Sequence, residues 1–366
     1  MEDRRKLYFD LINLIRCSLY GQAPDVGGVD LRAVLNLALR HGVLVMAATP
    51  LSAVADSIDG ELYAAIKNKA YEQAYRLSLL DSEREELLSY LNEQKIWHMP
   101  LKGVVLKELY PDPDMREMCD NDILYDSDRQ AAVVEFFAAR GYKGKIDASS
   151  DDVFTTPPVY NFEMHRSLFE DTCDSRWVQY YADVKSRLIP DDSGCGYHFS
   201  DEDFYIYVTL HNYKHYTVGG IGLRSVIDCA VYTGAKQLNW GYIERELAAL
   251  GALDYSRALK GLADKLFGPA AALLDEAEAD MLDYIMSSGA YGTLQHFVEN
   301  GSGEGRRGYL WRRLFPGLDW FKTYRPFFYR HRLLIPFYYL YRFGRAAVNA
   351  GRIKKEFDYL NKKDRE

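Results

Sequence analysis

The chain has few cysteines and no long apolar run, and both absences limit the class of protein it can be. Only 5 of its 366 residues are cysteine, an odd number without paired spacing. This predicts reduced thiols in a cytoplasmic protein rather than a disulfide framework or a zinc module. The longest apolar stretch, residues 333–341, includes Pro336. A segment of that length is too short to span a bilayer, which needs about 20 residues.

An internal repeat and a secretory signal are also missing from the pattern of the sequence. Residues 1–5 are mostly charged and run directly into an amphipathic helical pattern, without an intervening apolar segment. We therefore expect a cytoplasmic location, with peripheral attachment to the inner membrane surface as an open alternative. The length is large for a single core, and it fits one catalytic domain with helical additions, or two domains.

Positive charge is scarce in most of the chain and concentrated at its end. The whole chain has a net charge of −8, yet residues 305–366 contain 16 Lys or Arg against 5 Asp or Glu, a net charge of +11. Aromatic residues are interleaved with these arginines in residues 311–315 and 337–343. This composition fits contact with an anionic membrane surface, RNA or an acidic partner. The alternative is that the segment packs its aromatic residues on the acidic body.

Apolar periodicity predicts an α+β protein in which a small mixed sheet is flanked by helical segments at both ends. Helices are predicted at 4–19, 30–40, 43–55 and 60–95, at 130–140, and again after a Ser200 cap. A glycine-rich stretch from residue 301 is predicted to be a linker. The predicted division is 1–95 (helical), 96–195 (sheet-containing core), 196–300 (helical, completing a cleft) and 301–366 (basic and aromatic).

Two aspartates two residues apart carry the clearest chemical signal. Asp120 and Asp122 would project from the same face of a strand and repel each other unless cations lie between them. Carboxylate oxygens are preferred ligands of Mg²⁺, and enzymes of phosphoryl transfer use paired metal ions. Upstream, Lys102 and Gly103 form a predicted turn between a strand and a helix, where a glycine lets phosphate approach the backbone. These residues together predict a metal and phosphate site.

A later strand could contribute further ligands. Residues 159–165 alternate so that Asn161, Glu163 and His165 share one face. Glu163 is therefore either a third metal-binding carboxylate or an ordinary exposed strand residue. His165 would point into the site if Glu163 does, and a surface histidine is the alternative.

Two pairs of residues lie four apart on predicted helices. His211 and His215 have a spacing that can bind a metal, but Asn212 stands where a zincin motif needs glutamate. A structural pair, or two histidines that face a cleft, is predicted instead. Arg224 and Asp228 most simply form an ion pair within their helix, and a cleft role for Arg224 is the alternative.

In this order, the motifs resemble the DNA polymerase β-type nucleotidyltransferase superfamily. They resemble more closely a family of uncharacterised bacterial nucleotidyltransferases that has a Leu-Lys-Gly turn, an arginine before an Asp-x-Asp strand, and a Glu-x-His strand. The matching residues are Leu101–Gly103, Arg116, Asp120–Asp122 and Glu163–His165. Further blocks that resemble this family lie at residues 40–43, 210–215, 223–228 and 309–316.

The resemblance implies an Mg²⁺- or Mn²⁺-dependent enzyme that transfers a nucleotidyl group from an NTP to a hydroxyl of a protein, a small molecule or RNA. It implies that the metal-binding and catalytic residues are Asp120, Asp122 and Glu163. The implied NTP-binding residues are Lys102, Gly103, Arg116, His165, His211, His215 and Arg224. Alternatives are a catalytically silent nucleotide-binding or scaffold protein, whose basic segment engages a membrane or partner, and a phosphohydrolase that uses the histidines.

Two residues depart from the superfamily pattern. Where the superfamily usually has a Gly-Gly or Gly-Ser turn, this chain has Lys102-Gly103. No serine hydroxyl is therefore available there to bind phosphate. Asn121 replaces the usual apolar residue between the aspartates. Its side chain would point away from Asp120 and Asp122 toward the core, where an unpaired amide costs about 1–3 kcal/mol. Asn121 is therefore expected to have hydrogen-bond partners or to lie on a partly wet face.

Overall fold

This computed structural model describes residues 2–146, 151–270, 272–302, 306–348 and 359. The N-terminal segment is helical as predicted, and Asp30 and Asp59 each cap a helix by accepting a backbone hydrogen bond. The helix predicted at 43–55 is instead a short α-helix followed by a 3₁₀ helix, Thr49–Ser57, because Pro50 lacks the N–H that an α-helix needs. The α-helices here are α1 (Glu2–Tyr20), α2 (Leu31–His41), α3 (Leu44–Ala48) and α4 (Gly60–Glu93).

A five-stranded mixed sheet follows, in the order β1-β2-β5-β4-β3. Only β2 and β5 are parallel, and all the other neighbours are antiparallel. The strands are β1 (His98–Pro100), β2 (Asn121–Tyr125), β3 (Lys143–Ile146), β4 (Asp151–Thr156) and β5 (Tyr160–His165). The connecting helices are α5 (Gly103–Lys107) and α6 (Gln130–Ala139), of which α6 begins at the predicted residue.

The chain then returns to helix, which confirms the predicted α+β class. A two-stranded sheet and a short helix lead to it: α7 (Ser175–Tyr180), β6 (Ile189–Pro190) and β7 (Tyr197–His198). Ser200 caps the next helix, as predicted, by accepting a hydrogen bond from the N–H of Asp203. The following helices are α8 (Asp201–Val218), α9 (Leu223–Ala235), α10 (Trp240–Ala249), α11 (Leu253–Phe267), α12 (Glu276–Ser288) and α13 (Leu294–Gly301).

The two faces of the sheet have different neighbours. Ile123 on β2 and Phe162 on β5 pack with α4 and α6 in one apolar cluster. Because side chains alternate along a strand, Asp122 and Glu163 project from the opposite face. Asn121 lies on the apolar side, fully buried, and has the partners that its position requires: it donates to the carbonyl of Leu80 and accepts from Arg84.

The described part of the basic segment forms four α-helices, and its aromatic residues pack partly on one another. Phe321, Ile335 and Tyr338 are buried together in a small cluster of their own. Lys322 binds Asp171, and the Tyr324 hydroxyl donates to Glu170, so the segment also contacts the body. The helices are α14 (Arg306–Leu314), α15 (Leu318–Tyr324), α16 (Pro326–Arg330) and α17 (Ile335–Val348).

The predictions about a membrane span, a linker and the division into segments have different outcomes. Within the described ranges, no helix is long and apolar enough to cross a membrane. Residues 303–305 of the predicted linker lie outside the described residues, and Gly301 at its start is still helical. The division into four segments stays a prediction.

Candidate active site

A polar cleft of about 460 Å³ lies over the face of the sheet that carries the acids. The turn before α5, the loop before β2, strand β5 and helices α8 and α9 all contribute to its walls. All ten residues predicted for the site line this cleft, namely Lys102, Gly103, Arg116, Asp120, Asp122, Glu163, His165, His211, His215 and Arg224. The structure therefore gathers residues that are up to 122 positions apart in the sequence.

The parallel pairing of β2 with β5 creates the acidic centre of the cleft. Asp122 is directly opposite Glu163 in the register, so their side chains project side by side. His165 adds a nitrogen, and one ligand atom from each of these three residues lies within 4.8 Å of the others. Asp120 lines the same cleft but is not part of this tight group.

Asp122 holds the negative charge of the site. Lys102 Nζ lies 2.8 Å and His165 Nε2 2.7 Å from the same Asp122 oxygen. Burial by itself would raise the pKa of Asp122, but these two cationic neighbours lower it well below its usual range. Burial would likewise lower the pKa of His165, yet its hydrogen bonds to Asp122 and Asp151 raise it to about 9. His165 is thus an imidazolium that donates from both nitrogens.

The surroundings of Asp120 and Glu163 favour the protonated, neutral form of each carboxyl group. Burial, and then the charges of Asp122 and Asp120, raise the pKa of Glu163 to about 7. Burial and the charge of Asp122 also raise the pKa of Asp120. A second and third negative charge are therefore unfavourable in this cleft until further positive charge is present. This is the electrostatic condition that a divalent cation relieves.

Lys102 adopts a backbone conformation that is rare for a residue with a side chain. Its φ is +48°, in the region that glycine occupies easily. Holding a lysine there costs on the order of 1–3 kcal/mol. Here the conformation accompanies the direct bond from the lysine ammonium to Asp122.

The predicted ion pair between Arg224 and Asp228 is wrong. Asp228 is buried and accepts two hydrogen bonds from Arg116, at 3.1 and 2.9 Å, and a third from the Tyr110 hydroxyl. Arg224 instead donates to the carbonyl of Glu117 in the loop before β2. Helical spacing brings residues four apart into reach, but the long-range bidentate partner satisfies the Asp228 carboxylate more completely.

Arg116 also explains the glycine of the Lys102-Gly103 turn. A Cβ atom at Gly103 would lie 2.6 Å from Nη1 of Arg116. The arginine that holds α9 through Asp228 therefore packs directly on the turn beside the acids. Since its guanidinium is occupied by Asp228 and the carbonyl of Glu117, Arg116 positions the cleft walls, and its predicted contact with NTP stays a prediction.

We expect Asp228→Asn to destabilise the protein strongly. The substitution keeps the shape of the side chain but leaves the buried Arg116 guanidinium without a countercharge. Breaking such a pair by removing one partner costs about 3–5 kcal/mol. Urea unfolding measures the change, and Asp283→Asn is the matched control, because Asp283 pairs with Arg5 at the surface and such pairs contribute about 0–1 kcal/mol. Equal small effects of both substitutions would contradict the positioning role of Arg116.

Residues 40–43, one of the blocks that resemble the family, contact helix α9, which lines the cleft. His41 is fully buried, its Nδ1 accepts from the N–H of Leu223 at the start of α9, and its Nε2 lies 3.3 Å from the carbonyl of Met286. Gly42 has a φ of +62°, and a Cβ there would lie 3.0 Å from Nη1 of Arg224. The block thus fixes the helix that carries Arg224.

His41 should make stability depend on pH. Burial lowers its pKa to about 4, whereas the unfolded chain binds a proton near pH 6.5. The stabilisation from a neutral His41 is therefore present above pH 6.5 and is lost as the pH falls toward 4, by up to about 3 kcal/mol. His41→Asn keeps an acceptor near Leu223 and removes the titration. Urea unfolding between pH 7 and 4 should show a shallower decline for the variant, and parallel curves would contradict the assignment.

Sequence reasoning missed three acids that organise the cleft. Asp151 orients His165 through Nδ1, Asp228 holds Arg116, and Glu117 accepts from the N–H of Val45 with its side chain while its carbonyl binds Arg224. Asp151 lies in a polar run, residues 149–152, that resembles a turn. Only the pairing of Asp151 with His165 across β4 and β5 reveals its position.

His211 and His215 face the cleft as a pair, with ring centroids 4.6 Å apart. Burial lowers the pKa of His211 well below its usual value, so its ring is neutral. Among the described residues the only group close enough to hold a metal is Asp122, Glu163 and His165. This agrees with the expectation of a cleft-facing pair rather than a zinc site.

The acids suit a divalent cation. Carboxylate oxygens from Asp120, Asp122 and Glu163 match the preference of Mg²⁺, and Mn²⁺ accepts the same ligands. His165 is less suited to ligate while its Nε2 carries the proton that it donates to Asp122.

Comparison with known proteins agrees with this chemistry. No curated protein and no solved structure matches the chain. A family model described as uncharacterised nucleotidyltransferase matches residues 27–268, about two thirds of the chain. The match runs from the residues before α2 to the end of α11 and includes every residue predicted for the site. The chain therefore belongs to this family of uncharacterised nucleotidyltransferases.

Proposed function

We propose that the protein transfers a nucleotidyl group from an NTP to an acceptor hydroxyl, with Mg²⁺ or Mn²⁺ as cofactor. The observation that carries the proposal is the side-by-side placement of Asp122 and Glu163 on parallel strands, with Asp120 in the same cleft. A stable fold gains nothing from clustered carboxylates, since their mutual repulsion opposes ionisation. Binding of cations and phosphates gives the cluster a purpose.

Each side chain has a proposed task. Divalent ions held by Asp120, Asp122 and Glu163 would neutralise the triphosphate and the charge that develops in the transition state. Lys102 lies beside Asp122 and is placed to bind phosphate oxygens with its ammonium. Glu163 would complete the metal site and accept the proton of the attacking hydroxyl. The neutral His211, together with His215 and Arg224, would contact the nucleotide or the acceptor.

A catalytically silent nucleotide-binding protein is the second candidate. One observation favours it. Lys102 and His165 both bind the Asp122 carboxylate, so two side chains of the protein already neutralise the most acidic of the proposed metal ligands. A phosphohydrolase is less well supported, because His211 and His215 do not lie with the acids in the metal-sized group.

The test is transfer of label by the purified full-length protein. Each α-labelled NTP is incubated with Mg²⁺ or Mn²⁺ and with the protein alone, cell-extract proteins, RNA or a small-molecule extract. We expect label on one acceptor class, dependent on metal and absent with Asp122→Asn. Metal-dependent NTP binding without transfer to any of these acceptors would favour the silent candidate. Release of inorganic phosphate from γ-labelled NTP without nucleotidyl transfer would favour hydrolysis.

A further inference from the structure

A continuous apolar surface is exposed on the basic C-terminal segment. Seven of the 21 exposed large apolar side chains of the described residues lie within residues 327–343. Leu333 is 90% exposed, Phe337 65%, Leu340 66% and Tyr341 56%. These residues recur at intervals of three or four, so they form one stripe along α17 and the turn before it. We call Leu333, Phe337, Leu340 and Tyr341 the outer stripe.

The opposite side of α17 is packed against other residues of the segment. The helix is therefore docked, although its outer side is exposed. Ile335 and Tyr338 are buried against Phe321, and the Tyr338 ring lies 5.3 Å from the Phe321 ring and 4.8 Å from that of Phe328. The helix is thus apolar on two sides, and among the described residues only the side with Ile335 and Tyr338 is buried. A surface helix of a soluble domain normally carries polar residues on its outer side.

The charge around the outer stripe is strongly positive. Residues 306–348 contain ten Lys or Arg and a single acid, Asp319. Arg330 and Arg332 are both exposed and immediately precede Leu333. Leucine and aromatic side chains bordered by arginines are typical of helices that lie in the interface of a bilayer, with the apolar side in the acyl region and the arginines at the headgroups.

We propose that this segment docks the protein on an anionic lipid surface through the outer stripe. At about 1.5 Å per residue α17 is about 21 Å long, which suits a helix lying in the plane of the membrane. A second copy of the chain fits less well, because it would bring the same excess of positive charge against itself. RNA fits less well because the leucines offer neither a stacking plane nor a hydrogen bond to a base or phosphate.

Vesicle binding by the full chain tests the proposal. Point variants are preferable to truncation, because Lys322 and Tyr324 of the same segment contact residues 170–171 beside the cleft. The test variant is Leu333→Glu, and the matched control is Leu273→Glu, since Leu273 is 93% exposed on the body. Both variants make the same chemical change at equally exposed leucines, so both should keep the wild-type thermal midpoint.

We expect the wild type and Leu273→Glu to sediment equally with vesicles containing phosphatidylglycerol, more weakly at high salt, and little with pure phosphatidylcholine. Leu333→Glu should lower the partition coefficient at least about tenfold. Arg330→Gln with Arg332→Gln should lower it about fivefold for each arginine. Equal binding by the two leucine variants, or no binding by the wild type, would overturn the proposal. It would also be overturned if Leu333→Glu abolished only a dimer or only RNA binding.

Discussion

Asp120→Asn and Asp122→Asn are expected to abolish turnover alike but to change stability in opposite directions. The two aspartates are only two residues apart, so sequence reasoning predicts that replacing both with asparagine relieves their repulsion and leaves the fold intact or more stable. The structure separates them. The pKa of Asp120 is raised, whereas that of Asp122 is lowered by Lys102 and His165.

The opposite signs follow from these environments. A carboxylate with a raised pKa is less favourable when ionised in the folded state, so at neutral pH Asp120→Asn should leave the unfolding free energy unchanged or higher. Asp122→Asn removes the negative charge that Lys102 and the buried His165 share. Leaving Lys102 and His165 without it should lower the unfolding free energy by about 3 kcal/mol or more.

Urea unfolding in the presence of a chelator measures both stabilities without metal. Isothermal titration with Mg²⁺ and NTP then measures binding by each variant under conditions where it is folded. We expect the binding that depends on metal to be lost in Asp122→Asn and strongly weakened in Asp120→Asn. Unchanged Mg²⁺·NTP affinity in the folded variants would exclude these acids as the metal site. Equal destabilisation by both substitutions would contradict the assignment of the pair with Lys102.

Local patterns were sufficient to predict most of the N-terminal helices and the faces of β2 and β5. The alternation of β5 placed Glu163 and His165 on one side, and Asp30, Asp59 and Ser200 are capping residues that can be recognised from type and position. The same local rule failed for Asp228, because its partner Arg116 is 112 residues away. Proximity along a helix says which residues can meet, but it does not say which long-range partner competes for them.

The arrangement of the site depends on pairings that a single sequence does not specify. Placing Asp122 beside Glu163 requires the parallel register of β2 and β5, in which the paired residues are 41 positions apart in the chain. Asp151 reaches His165 only because β4 folds back on β5. The sequence predicts that Lys102 binds phosphate. Its rare backbone conformation and its bond to Asp122 do not follow from its residue type.

Glu163→Gln should reduce turnover by a factor of hundreds or more, which corresponds to at least about 3 kcal/mol of transition-state stabilisation. The amide keeps the size of the side chain but can neither take a proton from an acceptor hydroxyl nor supply a negative charge to a cation. Affinity for Mg²⁺·NTP should change much less, because Asp120 and Asp122 remain. Since the pKa of Glu163 is raised to about 7, the neutral amide should not destabilise the fold.

Glu170→Gln provides the matched control for Glu163→Gln. Glu170 lines the same cleft but accepts hydrogen bonds from Thr172 and from Tyr324 of the basic segment, and it lies outside the group of Asp122, Glu163 and His165. Removing its charge should leave kcat within a few-fold of wild type, so a comparison of kcat and KM for both variants separates a catalytic carboxylate from the general acidity of the cleft. If Glu163→Gln raises KM while kcat is unchanged, Glu163 binds substrate and the third catalytic acid must be sought elsewhere, with Asp151, which lines the same cleft, as the first candidate.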